Sequence, residues 1–244
     1  MILDSIKEKQ RLGKKMIALL IDPDRTKGGD LDSLIERIQL FLPDFILVGG
    51  SLLTEDVSPV YQQLKRSLSI PLVTFPGSVN QVSNLADGIL FLSLISGRNP
   101  ELLIGNHVVA APLLRKSGVE IISTGYVLVD GGVVTSVQYM SNTTPVPCNK
   151  LDIASATALA GEYLGMKLIY LEAGSGAKNP VSKEMIAAVK STISIPLMVG
   201  GGVNTPQKLS DAFEAGADVV VVGTAIEKSP ELLNEFIAVV ERYR

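Results

Sequence analysis

Two acidic residues and a serine directly follow apolar runs of the sequence, where they could act on a phosphorylated substrate. Asp22 follows the run Met16–Ile21, Ser51 follows Phe45–Val48 after two glycines, and Glu172 follows Lys167–Leu171. Carboxylate and hydroxyl oxygens bind Mg²⁺, usually together with water and substrate phosphate oxygens. A carboxylate in a polar loop can instead accept a proton as a general base. We therefore expect Asp22 and Ser51 to bind Mg²⁺ and Glu172 to act as the base.

The same carboxylates also have purely structural interpretations. Asp22 and Asp24 could cap the turn or helix that follows the first apolar run, as short acidic side chains often do. Glu172 could order its own loop by accepting hydrogen bonds from backbone N–H groups. These alternatives remain open at the level of the sequence, and for Asp24 the structural one is favoured.

Three glycine-rich turns could bind a phosphate group through bare backbone. They follow apolar runs late in the chain and comprise Gly174-Ser175-Gly176, Gly200-Gly201-Gly202 and Gly223-Thr224. Without a Cβ atom, a glycine lets backbone N–H groups approach a ligand closely, and a helix start that follows adds its positive dipole end. Two such turns about twenty residues apart are typical of the phosphate site formed after strands 7 and 8 of a (β/α)8 barrel. The alternative is that these glycines only close tight turns.

Eight apolar runs without polar alternation must position these residues. They are Met16–Ile21, Phe45–Val48, Pro71–Phe75, Gly88–Leu94, Val119–Ser123, Lys167–Leu171, Ile195–Val199 and Asp218–Val222. Such runs are typical of strands buried on both faces, and segments of helical spacing lie between most of them. We predict one α/β domain over residues 1–244, a single TIM barrel. The alternative, an open doubly wound sheet, would place its phosphate turn after the first strand.

Two segments depart from the regular alternation. The stretch from Pro76 to Asp87 is short and rich in Ser, Asn and Gly, so we expect the third helix to be degenerate. Farther along, strand-forming residues flank the turn Asp130-Gly131-Gly132, which predicts a β-hairpin inserted after strand 5. Such a hairpin would lie above the barrel mouth.

Composition excludes several functional classes. The net charge of −3 and the isoelectric point near 5.3 argue against binding to nucleic acid or broadly to anionic membranes. The single cysteine, Cys148, forms no internal disulfide and fits the cytoplasm. No apolar run reaches the roughly 20 residues that span a bilayer, and the N-terminal segment lacks the features of a signal peptide. The only histidine, His107, is expected to be structural.

Five segments, in order through nearly the whole chain, resemble the geranylgeranylglyceryl phosphate synthases, which are prenyltransferases on a modified TIM barrel. The segments are Leu20–Asp24 (LIDPD), Val48–Ser51 (VGGS), Tyr170–Gly176 (YLEAGSG), Val199–Gly202 (VGGG) and Val222–Thr224 (VGT). The third segment is nearly diagnostic, and a modified third helix also fits the family. The sequence resembles the longer branch of the family, found in archaea and some bacteria. The shorter bacterial branch carries a lysine where this chain has Leu20, so no lysine role transfers.

The resemblance implies that sn-glycerol 1-phosphate attacks an all-trans prenyl diphosphate, with geranylgeranyl diphosphate favoured, to form an ether and release pyrophosphate. It implies Mg²⁺ on Asp22 and Ser51, and catalysis by Glu172 with Tyr170 holding the glycerol hydroxyls. The glycerol phosphate site implied by these segments comprises Tyr170, Leu171, Glu172, Ala173, Gly174, Ser175, Gly176, Gly201, Gly202, Gly223 and Thr224. Tyr126 and Phe75 to Gly77 are candidates near the mouth, although a structural role is favoured for them.

Two other functions remain open on the sequence alone. A phosphosugar isomerase or synthase would share the glycine turns but needs a second acid or a lysine opposite Glu172, for which Asp130 is a candidate only without the hairpin. A non-catalytic phosphate-ligand binder would not need Asp22, Ser51 and Glu172 together. The resemblance further implies a homo-oligomer, a dimer or a hexamer, and leaves open a transient contact with a membrane surface. The preferred prenyl chain length and the lining of the prenyl groove do not follow from the sequence.

Overall fold

Eight parallel strands close into a barrel in the computed structural model, which describes residues 1–244. The strands are β1 (Met16–Ile21), β2 (Phe45–Val48), β3 (Leu72–Thr74), β4 (Gly88–Leu94), β5 (Glu120–Leu128), β6 (Leu168–Glu172), β7 (Leu197–Gly200) and β8 (Val219–Val222). Each strand pairs with the next, and β8 pairs with β1 in the register Met16 to Val219. The predicted barrel is therefore confirmed, with most strand ends within two residues of the expected ones.

Side chains alternate between the barrel interior and the surrounding helices. Along β1, Met16 and Ala18 belong to an interior apolar cluster, whereas Ile17, Leu19 and Ile21 belong to the larger cluster between sheet and helices. This alternation follows from the period of two in a strand, and both faces are apolar because helices cover the outside. The interior cluster packs inside the barrel, and a cavity opens at the carboxyl ends of the strands.

Ten α-helices surround or cap the barrel. They are α1 (Ile2–Arg11), α2 (Gly29–Leu40), α3 (Ser58–Ser67), α4 (Asn106–Ser117), α5 (Ser136–Ser141), α6 (Leu151–Tyr163), α7 (Lys183–Thr192), α8 (Pro206–Glu214), α9 (Thr224–Lys228) and α10 (Leu232–Val240). Helix α1 covers the amino-terminal end, where Ile6 joins the interior cluster and the Glu120 carboxylate accepts hydrogen bonds from the N–H groups of Ile2 and Leu3. No helix combines the length and apolar character needed to cross a membrane.

The link between β3 and β4 contains no α-helix. Only a single 3₁₀ turn, Val79–Gln81, occupies the position of a barrel helix, which confirms the predicted degenerate third helix. The Gln81 side chain fixes this link: its amide nitrogen donates to the Gly50 carbonyl, and its amide oxygen accepts from the Gly77 N–H. Residues of this link, from Pro76 to Val82, line a cavity at the barrel mouth.

The predicted hairpin after strand 5 is wrong. Strand β5 extends to Leu128, well past the expected end at Ser123, so the apolar residues before the turn continue the barrel strand. The turn itself exists, since the Gly132 N–H donates to the Asp130 carboxylate at 2.9 Å. The residues after it form no second strand: they lead into α5, and Val146 makes an isolated parallel bridge with Val129.

Gly49 is the tightest point of the mouth, and replacing it should destabilise the fold. Its φ is +153°, and a Cβ atom there would lie 2.0 Å from the Phe75 carbonyl oxygen. We expect Gly49→Ala to cost about 2 kcal/mol or more of unfolding free energy, lowering the melting temperature by about 4–8 °C. The matched control is Gly29→Ala, because nothing lies within 4 Å of the added methyl group. Equal melting temperatures for the two variants would contradict this account.

Candidate active site at the carboxyl ends of the strands

A cavity of about 830 Å³ opens at the carboxyl ends of the strands. It extends from the loops after β6, β7 and β8, across the mouth, to the inner face of α4. The end near β8 is lined by polar groups and glycines. The end near α4 is lined mainly by apolar side chains, among them Val79, Val82, Leu102, Ala110 and Leu114.

Glu172 lies at the centre of this cavity with its carboxylate almost completely buried. Its side chain projects from the end of β6, and Oε1 accepts a hydrogen bond from the Gly174 N–H at 2.8 Å. Burial raises the pKa of Glu172 to about 7, because the charged form loses solvation; the nearby Tyr170 hydroxyl and the hydrogen bond from the Gly174 N–H oppose this only in part. A carboxylate with this pKa can accept and release a proton near neutral pH.

The Tyr170 hydroxyl lies near the same carboxylate: a Cβ atom on Gly200 would clash with both the hydroxyl and Glu172 Oε2. Tyr170 is fully buried, and no protein atom satisfies its hydroxyl in hydrogen-bond geometry. Burial raises the pKa of Tyr170 well above its usual value, so the phenol stays protonated and can donate to a ligand. Its ring packs against Tyr126 and Phe75 at centroid distances of 5.4 and 5.7 Å, and these three rings form the cavity floor.

The glycines after β7 are needed for close packing between two loops. Gly201 has a φ of +80°, and a Cβ atom there would lie 2.6 Å from both Glu172 Oε1 and the Gly174 nitrogen. Gly202 has a φ of +71°, and its Cβ atom would meet the backbone of Asn179 and Pro180 at about 2.9 Å. The absence of side chains thus lets the loop after β7 pack closely against the loop after β6.

The loop after β8 packs beside the loops after β6 and β7. The hydroxyls of Ser175 and Thr224 are 3.0 Å apart and link the loop after β6 to the start of α9. Gly223 precedes this helix and packs against Leu20 of β1. The structure therefore brings together Ser175, Gly176, Gly201, Gly202, Gly223 and Thr224 at one end of the cavity.

The side chains of Leu171 and Ala173 do not face the cavity. Both side chains belong to the apolar cluster between the sheet and the helices, and neither lines the cavity. This follows from strand alternation, since Tyr170 and Glu172 point inward and their neighbours must point outward. A contact of Leu171 or Ala173 with a ligand could involve only the backbone.

Asp22 and Ser51 lie on the opposite side of the mouth, at the ends of β1 and β2. Asp22 is half-buried, and its Oδ1 accepts a hydrogen bond from the Asp24 N–H at 3.0 Å. A Cβ atom on Gly50, the residue before Ser51, would lie 3.0 Å from Asp22 Oδ2. Burial raises the pKa of Asp22. No three His, Cys, Asp or Glu side chains are arranged to hold a metal by themselves. One carboxylate with one hydroxyl fits Mg²⁺, which commonly completes its shell with water and substrate phosphates.

Asp24 has a structural role, although it is not the helix or turn cap that the sequence favoured. Its Oδ2 accepts hydrogen bonds from the N–H and the hydroxyl of Thr54 at 2.8 and 2.9 Å, tying the loop after β1 to the loop after β2. These bonds lower the pKa of Asp24. His107 also has a structural role: its Nε2 hydrogen bonds with the Ser93 hydroxyl, and its ring packs edge-on against Phe91.

Two charged residues of the site were not identified from the sequence. Arg25 lies beside Asp22, with Nε 3.4 Å from Oδ2, and Glu227 of α9 accepts a hydrogen bond from the Asp22 N–H at 3.3 Å. Burial raises the pKa of Glu227. The available signal was its spacing, because Glu227 follows Gly223 by about one helical turn and so returns to the mouth.

Fold and site together define a TIM-barrel protein whose polar and glycine-rich strand ends converge on one ligand cavity. A sequence profile of the PcrB family matches residues 7–241, and the chain belongs to that family.

Named relatives cover nearly the whole chain. A geranylgeranylglyceryl phosphate synthase of Chitinophaga pinensis is 50% identical over 96% of this chain and 93% of its own length. A protein of the same name from Thermococcus gammatolerans is 41% identical over 88% of this chain and 86% of its own. The crystal structure of (S)-3-O-geranylgeranylglyceryl phosphate synthase from Thermoplasma acidophilum, in complex with substrate sn-glycerol-1-phosphate, has a TM-score of 0.92 at 31% identity, covering 99% of both chains.

The buried Glu172 should make the stability of the protein depend on pH. Its folded pKa of about 7 exceeds the usual 4.5, so between these values the unfolded chain releases a proton that the folded chain retains. The contribution of protonated Glu172 to the free energy of unfolding is complete below pH 4.5. It decreases as the pH rises to about 7 and is constant above that pH. Glu172→Gln lacks this titration. Between pH 4.5 and about 7 we therefore expect the free energy of unfolding of wild type to fall, relative to that of the variant, by roughly 2–3 kcal/mol. The free energies are measured by urea unfolding at each pH. A constant difference between wild type and variant would contradict the raised pKa of Glu172.

Proposed function

We propose that this chain is a geranylgeranylglyceryl phosphate synthase. The primary hydroxyl of sn-glycerol 1-phosphate attacks C1 of a long all-trans prenyl diphosphate, with geranylgeranyl diphosphate favoured, forming an ether and releasing pyrophosphate. The observation that carries the proposal is the position of Glu172: a buried carboxylate with a pKa of about 7 lies between a glycine-rich polar end and an apolar end of one cavity. These two ends match the two substrates.

The polar end is the proposed site for the glycerol phosphate. Ser175 and Thr224 present hydroxyls there, and the backbone of Gly176, Gly202 and Gly223 borders the same space. The Thermoplasma acidophilum relative crystallised with sn-glycerol-1-phosphate supports this choice of ligand. Fixing the phosphate at this end would direct the other end of the glycerol toward Glu172, which favours attack by orienting the hydroxyl.

Glu172 and Tyr170 have complementary roles in this proposal. Ionised Glu172 accepts the proton of the attacking hydroxyl as the C–O bond forms. The protonated Tyr170 hydroxyl, which has no protein partner, donates a hydrogen bond to a glycerol oxygen. Both groups are held rigidly, Glu172 by the Gly174 N–H and Tyr170 by packing against Tyr126 and Phe75.

The apolar end is the proposed site for the prenyl chain. It extends from the link between β3 and β4 to α4. Val79 of that link, Leu102, which precedes α4, and Ala110 and Leu114 of α4 line it. Burial of an isoprenoid chain against these side chains is favoured by the hydrophobic effect. The diphosphate would then lie at the mouth beside Asp22 and Ser51.

We propose that Asp22 and Ser51 hold Mg²⁺ together with water and diphosphate oxygens. The chemistry such an ion supplies is neutralisation of the charge that develops on the leaving pyrophosphate. Asp22 fits this role because its Oδ2 accepts no hydrogen bond and lies 3.4 Å from Arg25 Nε, whereas Asp24 Oδ2 accepts two hydrogen bonds from Thr54.

We also propose that the protein forms a homo-oligomer in the cytoplasm. Helix α4 exposes Val108, Val109 and Leu113, and α6 ends with the exposed Tyr163 and Leu164. Apolar surface of this extent supports a homo-oligomer, which the family resemblance implies as a dimer or a hexamer. The same apolar surface is compatible with a transient contact at a membrane. The lone, exposed Cys148 is compatible with a reducing cytoplasm.

The alternative functions are less well supported. Asp130, the candidate second acid of a phosphosugar isomerase or synthase, is exposed, lies outside the cavity and accepts a hydrogen bond within its own turn. A non-catalytic binder would have no need of a buried carboxylate with a pKa near neutrality. We therefore keep the prenyltransferase as the single proposal.

The direct test incubates the protein with sn-glycerol 1-phosphate, geranylgeranyl diphosphate and Mg²⁺. We expect one pyrophosphate per ether product, detected by mass spectrometry, loss of turnover in chelator, and recovery with added Mg²⁺. Asp22→Asn should lower kcat/KM by about 100-fold or more, because it removes the negative metal ligand. Asp56→Asn, which removes an exposed carboxylate from the cavity rim, is the control. Full turnover in chelator would overturn the metal assignment, and absence of the ether product would overturn the function.

The polar end can be tested through its two hydroxyls. Ser175→Ala and Thr224→Val each remove one hydroxyl and little volume, so each should raise the KM for glycerol phosphate by about 2- to 10-fold, the usual value of one hydrogen bond. The KM for prenyl diphosphate should change much less. Ser78→Ala, on the β3 side of the cavity, is the matched control. A selective loss of prenyl diphosphate affinity would reverse the placement of the two substrates.

A further inference from the structure

The cavity contains far more negative than positive charge. The carboxylates that line it are Asp22, Asp24, Glu55, Asp56, Glu172 and Glu227. Only Arg25 and Lys228 carry a permanent positive charge among the lining residues, and burial lowers the pKa of His107, which favours its neutral form. The two anionic substrates of the proposed function therefore find few cationic side chains there.

Arg25 lies where the two proposed phosphate sites meet. Its Nε is 3.4 Å from Asp22 Oδ2 on the diphosphate side. One terminal nitrogen lies 3.5 Å from the Ser175 hydroxyl on the glycerol phosphate side, and 3.9 Å from Glu227 Oε2. The side chain thus spans the mouth from β1 to the loop after β6.

The guanidinium has unused hydrogen-bonding capacity. It carries five N–H donors, yet its contacts with Asp22, Ser175 and Glu227 are all 3.4 Å or longer. About half of the side chain is exposed to the cavity and solvent. Arginine donors form a planar fork that matches phosphate oxygens, and bonds to phosphate are stronger than long contacts with carboxylates.

We propose that Arg25 is an anion-binding residue shared by the two phosphate sites, contacting both the glycerol phosphate and the diphosphate. This inference rests on the proposed function and adds a binding residue to it. Glu227 acts as the positioning residue, since one carboxylate oxygen accepts the Asp22 N–H and the other faces Arg25. A shared cation would hold the two substrates in a fixed mutual position, which favours attack at C1.

The test is isothermal titration of the purified protein with sn-glycerol 1-phosphate, and separately with inorganic pyrophosphate plus Mg²⁺. We expect Arg25→Gln to weaken the binding of both anions by about 10- to 100-fold, the range for lost hydrogen bonds to charged groups. Arg25→Lys keeps the charge without the fork and should show a smaller loss for both. Lys228→Gln removes the other permanent positive charge of the cavity, at a residue that forms no ion pair, and should change either affinity by less than about 3-fold.

The outcomes separate this inference from the proposed function. Wild type that binds neither anion overturns both. Wild type that binds both, with unchanged affinities in Arg25→Gln, overturns the role of Arg25 alone, and so does a loss confined to one anion. Circular dichroism first shows whether Arg25→Gln is folded. If it is not, Arg25→Lys decides: weakened binding of both anions supports the shared role, and unchanged binding overturns it.

Discussion

The burial of the Glu172 carboxylate is the constraint on which the rest of the site depends. A buried carboxylate must be hydrogen-bonded or protonated, and here the Gly174 N–H supplies one bond while the pKa rises to about 7. Space for it exists only because Gly200 and Gly201 lack side chains: a Cβ atom at either would lie within 2.7 Å of a Glu172 oxygen. The glycine turn after β7 thus serves the carboxylate as much as any ligand.

The same region accounts for the division of the cavity. Tyr170, Tyr126 and Phe75 close its floor above the filled lower barrel, so ligands remain at the mouth. On one side the glycine turns pack closely together, so backbone and the small hydroxyls of Ser175 and Thr224 border much of the space. On the other side the missing third helix leaves apolar side chains exposed to the cavity. One fold therefore offers adjoining polar and apolar sites.

Much of the barrel and of the candidate site could be predicted from the sequence, because strands buried on both faces are continuous runs of apolar residues. Apolar runs located β2 and β4 to the residue, and the polar residues after them converged as parallel strands require. The error at β5 has a physical cause. The turn at Asp130 suggested a hairpin, but the apolar residues before it continue β5 to Leu128. Gly125 lies within this strand, where a Cβ atom would come within 3 Å of Met166 and Ile169. Local turn chemistry cannot distinguish a hairpin from a loop that leads into a helix.

The sequence also could not identify residues that act through three-dimensional proximity. Arg25 and Glu227 are separated by about two hundred positions, and only barrel closure between β1 and β8 places them on either side of Asp22. Leu171 and Ala173 were included because they lie within a continuous motif, whereas strand alternation turns their side chains outward. A linear motif therefore overstates the number of side chains that can touch a ligand.

The most direct test of the central claim is the pH dependence of the single-turnover rate of ether formation, with both substrates and Mg²⁺ saturating. If Glu172 is the base, the wild-type rate rises with pH through about 7 and then levels off, because only the ionised carboxylate accepts the proton. Glu172→Gln should be slower by about 10²–10⁴-fold and should lack this step. A wild-type rate that does not change between about pH 5 and 9, or the same step in the glutamine variant, would contradict the account.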